Sequence, residues 1–358
     1  MITRAFHPVG QGAFYSEKIE GIRTVYDCGI WWPERNSKRV DRLVEAAFAD
    51  NEQIDILFIS HFDYDHVSKI PILLEKYQVQ RIVMPLLENE DRVFLARLFE
   101  AMALSEIQEL LFDPVTFGAS RGITIIEVEP GENNTPLPEI EGEELEDLKT
   151  SKTIKSGTKI KHKDWVWVPF NYKAAARATK LFCELTKINL DSEKLKEEKY
   201  FDKNRASIKK AYQALEGNIN ENSLFLYSGP LPSQSSDRPA YFMDFSPRCC
   251  RRMLNPVPPG AIFTGDGDLN RVNISRVFKH YWEKVGTIQI PHHGAKKSFQ
   301  VKAFETGRYV CPISVGVNNS YGHPSSHIVN LLLENGSVPF QVTEKSDSLL
   351  ITRAWPGL

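Results

Sequence analysis

Four side chains able to ligate a divalent cation lie within six residues in HFDYDH, residues 61–66: His61, Asp63, Asp65 and His66. The apolar run IDILFIS, residues 54–60, precedes them and reads as a strand. A strand that exits into a loop before a helix delivers its polar tip to one crevice, so these side chains can converge on one or two cations. Imidazole with carboxylate suits a hard or borderline ion, and Mn²⁺ is as good a candidate as Zn²⁺.

Three further islands repeat the order of apolar strand, polar tip, then helix: AIFTGDGD (261–268), TIQIPHHGAKKS (287–298) and PISVGVNNSYGHPSS (312–326). Of the nine histidines, five fall in HFDYDH, PHHG or GHP. Histidines scattered over a surface would not collect at strand ends.

The order HxDxDH, TGD, PHHG, NNSYGHPS resembles the metallo-β-lactamase superfamily, and within it the hydrolase domain of ComEC-type competence proteins. The opening HPVGQGAFYSEKIEGIRTVYDCG (7–29) is similar to that family's start, a VGQG turn and a hairpin ending at Asp27. The likeness spans roughly residues 1–70 and 222–355, and implies an αβ/βα sandwich. The common first motif is HxHxDH, and Asp63 stands where its middle His would be, a replacement that ComEC-type proteins share. A mid-chain His usually completes the first metal site. Between His66 and His292 only His162 and His280 occur, and His162, in the Lys-rich KIKHKD, reads as a solvated surface residue.

What the resemblance implies is hydrolysis of a phosphodiester at a centre of two divalent ions, Zn²⁺ or Mn²⁺. His61 and Asp63 would hold the first ion. Asp65, His66, Asp266 and His293 would hold the second, with Asp266 as the bridging carboxylate. Adjacent side chains on an extended strand point opposite ways, so His293 is favoured as ligand and His292 as a catalytic or substrate contact. Asp65 and His323 complete the catalytic candidates, His323 donating to a phosphate oxygen or a leaving group. Asp27 would orient a ligand from behind, and Lys296, Ser298 and Asn319 are candidate phosphate contacts. Asp268 suits an Asx turn, while His7, His280 and His327 read as structural.

Lys and Arg total 44 against 46 Asp and Glu, a formal charge of −2, so no global basic field draws in a polyanion. Five cysteines without a CxxC spacing, Cys249 and Cys250 being adjacent, fit a reducing compartment. With no apolar signal core and no spanning run, a soluble cytoplasmic protein without a membrane role is expected.

The elements that must position these residues follow from periodicity. Residues 2–27 read as strands, 39–50 as a helix, PILLEKYQV as a helix, RIVMPL as a strand, 92–111 as helical and ITIIEVEP as a strand. Residues 131–163 read as a surface linker or insertion, WVWVPFNY as a strand, and 173–217 as a helix with eleven Lys/Arg against seven Asp/Glu. Pro324 is expected in the first turn of a helix ended by Gly336, and VPFQVTE and SLLITRAW as a closing hairpin. The expected organisation is one α/β domain over 1–358 with a mixed, partly helical insertion at about 88–220.

Three functions remain open: a DNA nuclease, as one partner of a multi-protein system that supplies recognition; a hydrolase of a smaller phosphoester or thioester; or a non-catalytic metal-binding module whose insertion at 88–220 recruits a partner.

Overall fold

The computed structural model describes residues 1–31, 37–132, 134–172, 185–191, 194, 200, 203–204, 206–208, 210–211, 223–232, 240–244, 257–305 and 307–354. Most of the expected helix over 173–217, and Cys249 and Cys250, lie outside them.

Two sheets face each other. One has nine strands in the spatial order Lys152–Ile154, Thr124–Val128, Arg81–Pro85, Ile56–Phe58, Ile22–Cys28, Phe14–Ile19, Ile2–Phe6, Leu350–Ala354, Ala240–Asp244. The other has eight, in the order Val338–Val342, Val310–Ser314, Val285–Ile288, Gly260–Phe263, Leu224–Pro230, Trp165–Asn171, Thr158–His162, Ile140–Glu144.

Side chains alternate across a strand, so an apolar strand buried on both faces feeds two cores. Ile56 and Phe58 point between the sheets with Val83 and Ile126, where they meet Trp167, Leu226 and Phe263. Leu57, Ile82 and Ile125 point outward, under Val40, Leu73, Phe99 and Leu110 of the helices Ser37–Glu45, Ile70–Lys76, Asn89–Ala101 and Ser105–Phe112. On the far side Val166, Phe225 and Ile262 pack with Ile274 and Val277 of the helix Ile274–Val277 and Ile328 and Leu332 of the helix Ser326–Glu334. The result is a mixed α/β sandwich of helices, two sheets and helices, consistent with the metallo-β-lactamase fold. Hydrogen bonds from Tyr15 Oη to Ser314 Oγ (3.1 Å) and from Tyr26 Oη to the Leu224 carbonyl (2.7 Å) tie the sheets together near the site.

Ile22–Cys28, Ile56–Phe58, Arg81–Pro85 and Thr124–Val128 run parallel, as do Gly260–Phe263, Val285–Ile288 and Val310–Ser314. The motif islands follow the carboxyl ends of strands in both sets, where open α/β sheets place their binding crevices.

The structure corrects several expectations. Residues 131–163 are not a surface linker, since they supply Ile140–Glu144, Lys152–Ile154 and Thr158–His162 to the two sheets. The first of these is an edge strand with little burial on either face, so its acidic residues hide the strand period. The helical stretch 92–111 is broken where Ala103 adopts a left-handed φ of 59°. Val338–Val342 and Leu350–Ala354 belong to different sheets and form no hairpin. Pro324 precedes the last helix, which starts at Ser326 behind Ser325 as N-cap. Gly336, at a φ of 74°, directly follows the C-cap Asn335. Among the described residues no helix is long and apolar enough to cross a membrane.

Candidate metal centre

The loop after Ile56–Phe58 leads into the short helix Tyr64–Val67. Asp63 occupies its N-cap position, yet its side chain makes no capping hydrogen bond and lies 3.4 Å from His61 Nε2 through Oδ2. The strand end beside it must come unusually close. A Cβ on Gly29 would sit 2.5 Å from the Asp65 carbonyl, so only glycine lets the backbone after Asp27 pass under the helix. Ala13, beside the VGQG turn, donates its N–H to the Asp65 carbonyl at 3.0 Å.

One ligand atom from each of Asp65, His66, Asp266 and His293 lies within 4.8 Å of the others, and all four residues are buried. His293 Nε2 is 3.0 Å from Asp65 Oδ2. Asp266 faces His66 Nε2 with Oδ1 and His292 Nδ1 with Oδ2, each at 3.2 Å. The His61 and His66 rings are 4.0 Å apart, which puts the His61 and Asp63 pair alongside this cluster.

Proton counting tests whether these residues suit a cation. His293 Nδ1 lies 2.9 Å from the Ser314 carbonyl, and His66 Nδ1 2.8 Å from Asp27 Oδ2. Both partners can only accept, so each Nδ1 carries the proton and each neutral ring turns the lone pair of Nε2 inward, toward another carboxylate. Acceptor then faces acceptor, an arrangement that needs a proton or a cation between them. Nε2 of His61 and of His66 and Oδ1 of Asp65 are buried without a hydrogen bond, each at a cost of about 1–3 kcal/mol unless something else binds them. The ionisations agree. Burial disfavours the charged form of His66, but Asp266, Asp27 and Asp65 outweigh it and raise its pKa well above the usual range. Burial pushes Asp266 up, while His66 and His292 pull it well below the ordinary carboxylate value. These residues therefore fit a divalent cation.

The PHHG segment departs from the extended strand expected of it. His292, His293 and Gly294 take left-handed φ values of 51°, 55° and 78°, in a tight turn after Val285–Ile288. Non-glycine residues held there cost on the order of 1–3 kcal/mol each, which the surrounding contacts must offset. Both histidines still reach the centre, His293 at Asp65 and His292 at Asp266.

An open cleft of about 360 Å³, counted with its mouth, is lined by Gln11, Trp31, Asp65, His292, His293, Lys297, Tyr321 and His323. Lys296 and Ser298 are not among these residues; Lys297 is the lysine at the rim. Asn319 turns inward on its own loop, donating to the Gly316 and His323 carbonyls at 2.7 Å and accepting from the His323 N–H at 2.9 Å. It thus shapes the loop that presents His323. Burial, then His293, His292 and Lys297, push the His323 pKa down to about 4.

Elsewhere, Asp268 Oδ1 accepts the Asn270 N–H at 2.9 Å in an Asx turn. His162 is buried, not solvated, with Nδ1 2.8 Å from Glu146. Gln289 was not anticipated: Oε1 accepts the Thr264 N–H at 2.8 Å, and Nε2 donates to the Gly265 carbonyl at 3.2 Å and the Ile290 carbonyl at 2.7 Å. It ties the loop of Asp266 to that of His293. One amide just past the end of an apolar strand leaves no signal in the sequence.

The metallo-β-lactamase superfamily model matches residues 17–151, a span that includes HFDYDH. Together with the fold and the cluster, this match supports the metallo-β-lactamase superfamily. A superfamily metallohydrolase is supported at the same level. The chain is similar to YhfI from Bacillus subtilis, a metallo-β-lactamase fold protein, at 6% identity over 99% of each chain with a TM-score of 0.41. It is also similar to a variant of the β-hydroxylase CmlA, at 10% identity over 99% of this chain and 53% of that one with a TM-score of 0.42. A diphosphatase from the PhnP family is similar at 7% identity over 95% and 94% of the chains with a TM-score of 0.38. At these TM-scores the likenesses carry no argument. No curated protein matches the chain.

Proposed function

We propose that the chain is a metal-dependent phosphodiester hydrolase acting on DNA, with two divalent cations, Mn²⁺ or Zn²⁺, at its centre. The observation that carries this reading is the buried convergence of Asp65, His66, Asp266 and His293 beside an open cleft, with the imidazole lone pairs of His66 and His293 turned inward. When bound, such ions polarise a phosphoryl oxygen and lower the pKa of a water. Asp266, with Oδ1 toward His66 and Oδ2 toward His292, would be the carboxylate shared by two cation positions, His61 and Asp63 holding one ion and Asp65, His66 and His293 the other. Asp65 Oδ1 is available to orient the attacking water by accepting its hydrogen bond. His292 and His323 line the cleft with Lys297, where they can donate to the oxygens of a phosphate. A His323 held neutral at pH 7 serves better as such a donor than as a general acid.

DNA is favoured by the resemblance of the motif order to that of ComEC-type domains. Since the chain carries a formal charge of −2, DNA contact would use a local basic surface, for which the lysine-rich part of 88–220 is the candidate, as it is for a protein partner. A reducing cytoplasm suits the buried free thiols of Cys28 and Cys311. A second reading is a small phosphoester or thioester as substrate, held at the cleft that His292, Lys297 and His323 line.

The test is hydrolysis of single- and double-stranded DNA and of bis-p-nitrophenyl phosphate by chelator-stripped protein with Mn²⁺ or Zn²⁺ restored. Cleavage of DNA supports the nuclease. Turnover of the small diester alone supports the second reading, and bound metal without turnover of either leaves an interaction module.

A further inference from the structure

Asp27 and Ser60 form one hydrogen-bond device behind both histidines of the HFDYDH loop. Asp27, held at a left-handed φ of 57°, accepts the Ser60 N–H through Oδ1 at 2.7 Å and the Ser60 hydroxyl through Oδ2 at 2.6 Å. The same Oδ2 takes His66 Nδ1–H at 2.8 Å. Ser60 has a single hydroxyl proton and gives it to Asp27, so its oxygen can only accept from His61 Nδ1, 2.8 Å away. One carboxylate therefore sets both rings: His66 directly at 2.8 Å, with Ser60 Oγ farther from the same Nδ1 at 3.3 Å, and His61 through the serine. Both rings then hold a proton at Nδ1 and turn Nε2 inward, the nitrogen that a cation would take. Asp27 and Ser60 are both fully buried, so water does not compete for these bonds.

The two cation positions are unequal. Asp65, His66, Asp266 and His293 offer four ligand atoms within 4.8 Å of one another, whereas the other position has the His61 and Asp63 pair, 3.4 Å apart. Of the remaining histidines, His292 faces Asp266 Oδ2 at 3.2 Å, and the others are engaged elsewhere. His7 bonds Ser16, His162 and His280 face Glu146 and Glu139, His323 lines the cleft beside His292, and His327 is exposed on the last helix.

We propose that Ser60 is a positioning residue that conveys the charge of Asp27 to His61, and that the weaker cation position depends on it while the stronger does not. This rests on the reading of the site as a metal centre. The experiment is chosen to separate the two, with wild type, Ser60→Ala and Asp27→Asn compared in two measurements. Nitrogen-15 NMR of the imidazole rings in metal-free protein reads the tautomers whether or not metal binds. In Ser60→Ala, His61 should lose its uniform protonation at Nδ1 while His66 keeps the proton on Nδ1; in Asp27→Asn both should be perturbed. Calorimetric titration with Mn²⁺ should show one ion bound by Ser60→Ala with wild-type affinity and the other weakened about tenfold or more. An unchanged His61 tautomer in Ser60→Ala overturns the proposal, as does equal weakening of both ions in folded protein. A wild type that takes up no ion overturns the metal reading itself, with the tautomer result still deciding the role of Ser60.

Discussion

Asp65 and His293 stand 228 positions apart in the sequence, yet His293 Nε2 meets Asp65 Oδ2 at 3.0 Å. Asp65 comes from the short helix that follows a strand of the nine-stranded sheet, His293 from a left-handed turn after a strand of the other sheet. The contact closes the edge of the sandwich, and the chemistry proposed here depends on that closure.

Asp65→Ala and Asp266→Ala should each reduce hydrolysis about a hundredfold or more and leave the chain folded. Asp65 lies on the short helix after Ile56–Phe58 and Asp266 in the loop after Gly260–Phe263, and neither fills an apolar core. Steady-state rates at saturating metal, with circular dichroism as the folding control, check this; near wild-type turnover in either variant refutes the role given to that residue.

Gln289→Leu should destabilise the fold by about 2–3 kcal/mol, because the Thr264 N–H and the Gly265 and Ile290 carbonyls lose a buried partner. It should also weaken cation binding, since the loops of Asp266 and His293 are then no longer tied together. Urea denaturation and metal titration read the two effects; a neutral change in stability would show that these groups find other partners.

His7 gives the fold an acid sensitivity. Its ring stacks on Phe14 at 4.1 Å, and burial, then Arg23, push its pKa from 6.5 down to about 3. The folded value lies below the unfolded one, so this contribution is fully present above pH 6.5 and is lost as pH falls toward 3, by at most about 1.4 kcal/mol per pH unit. His7→Gln should flatten the pH dependence of the urea midpoint across that window, and a slope equal to wild type would contradict the assignment.

Charge reversal at Lys194, Lys196 and Lys199 should weaken DNA binding and flatten its salt dependence while sparing hydrolysis of bis-p-nitrophenyl phosphate. Lys194 is exposed and lies 3.9 Å from Asp191; the other two lie outside the described residues. Unchanged affinity and salt slope would remove this surface from the DNA path. Loss of small-ester turnover would show that it helps to build the active site.

Much of this was legible because chemistry and period coincide. The apolar runs ahead of HFDYDH, TGD and PHHG fix strands, and the polar tips after them bring Asp65, His66, Asp266 and His293 to one place. What stayed hidden has physical reasons. The left-handed turn at His292 and His293 has no residue signature, because non-glycine residues enter that region only when their surroundings hold them there. Ser60 and Gln289 look like ordinary polar residues until their hydrogen bonds are seen. Ile140–Glu144 is an edge strand whose exposed acids imitate a linker. The separation of Val338–Val342 from Leu350–Ala354 is decided by partners far away in sequence, Val310–Ser314 and Ile2–Phe6.

The most direct test of the central claim is native mass spectrometry of the chelator-stripped wild type and Asp266→Ala proteins after exchange into Mn²⁺ or Zn²⁺ buffer. The account predicts two ions on the wild type, and on the variant at most one, weakly held. A folded wild-type protein that takes up neither ion would contradict it.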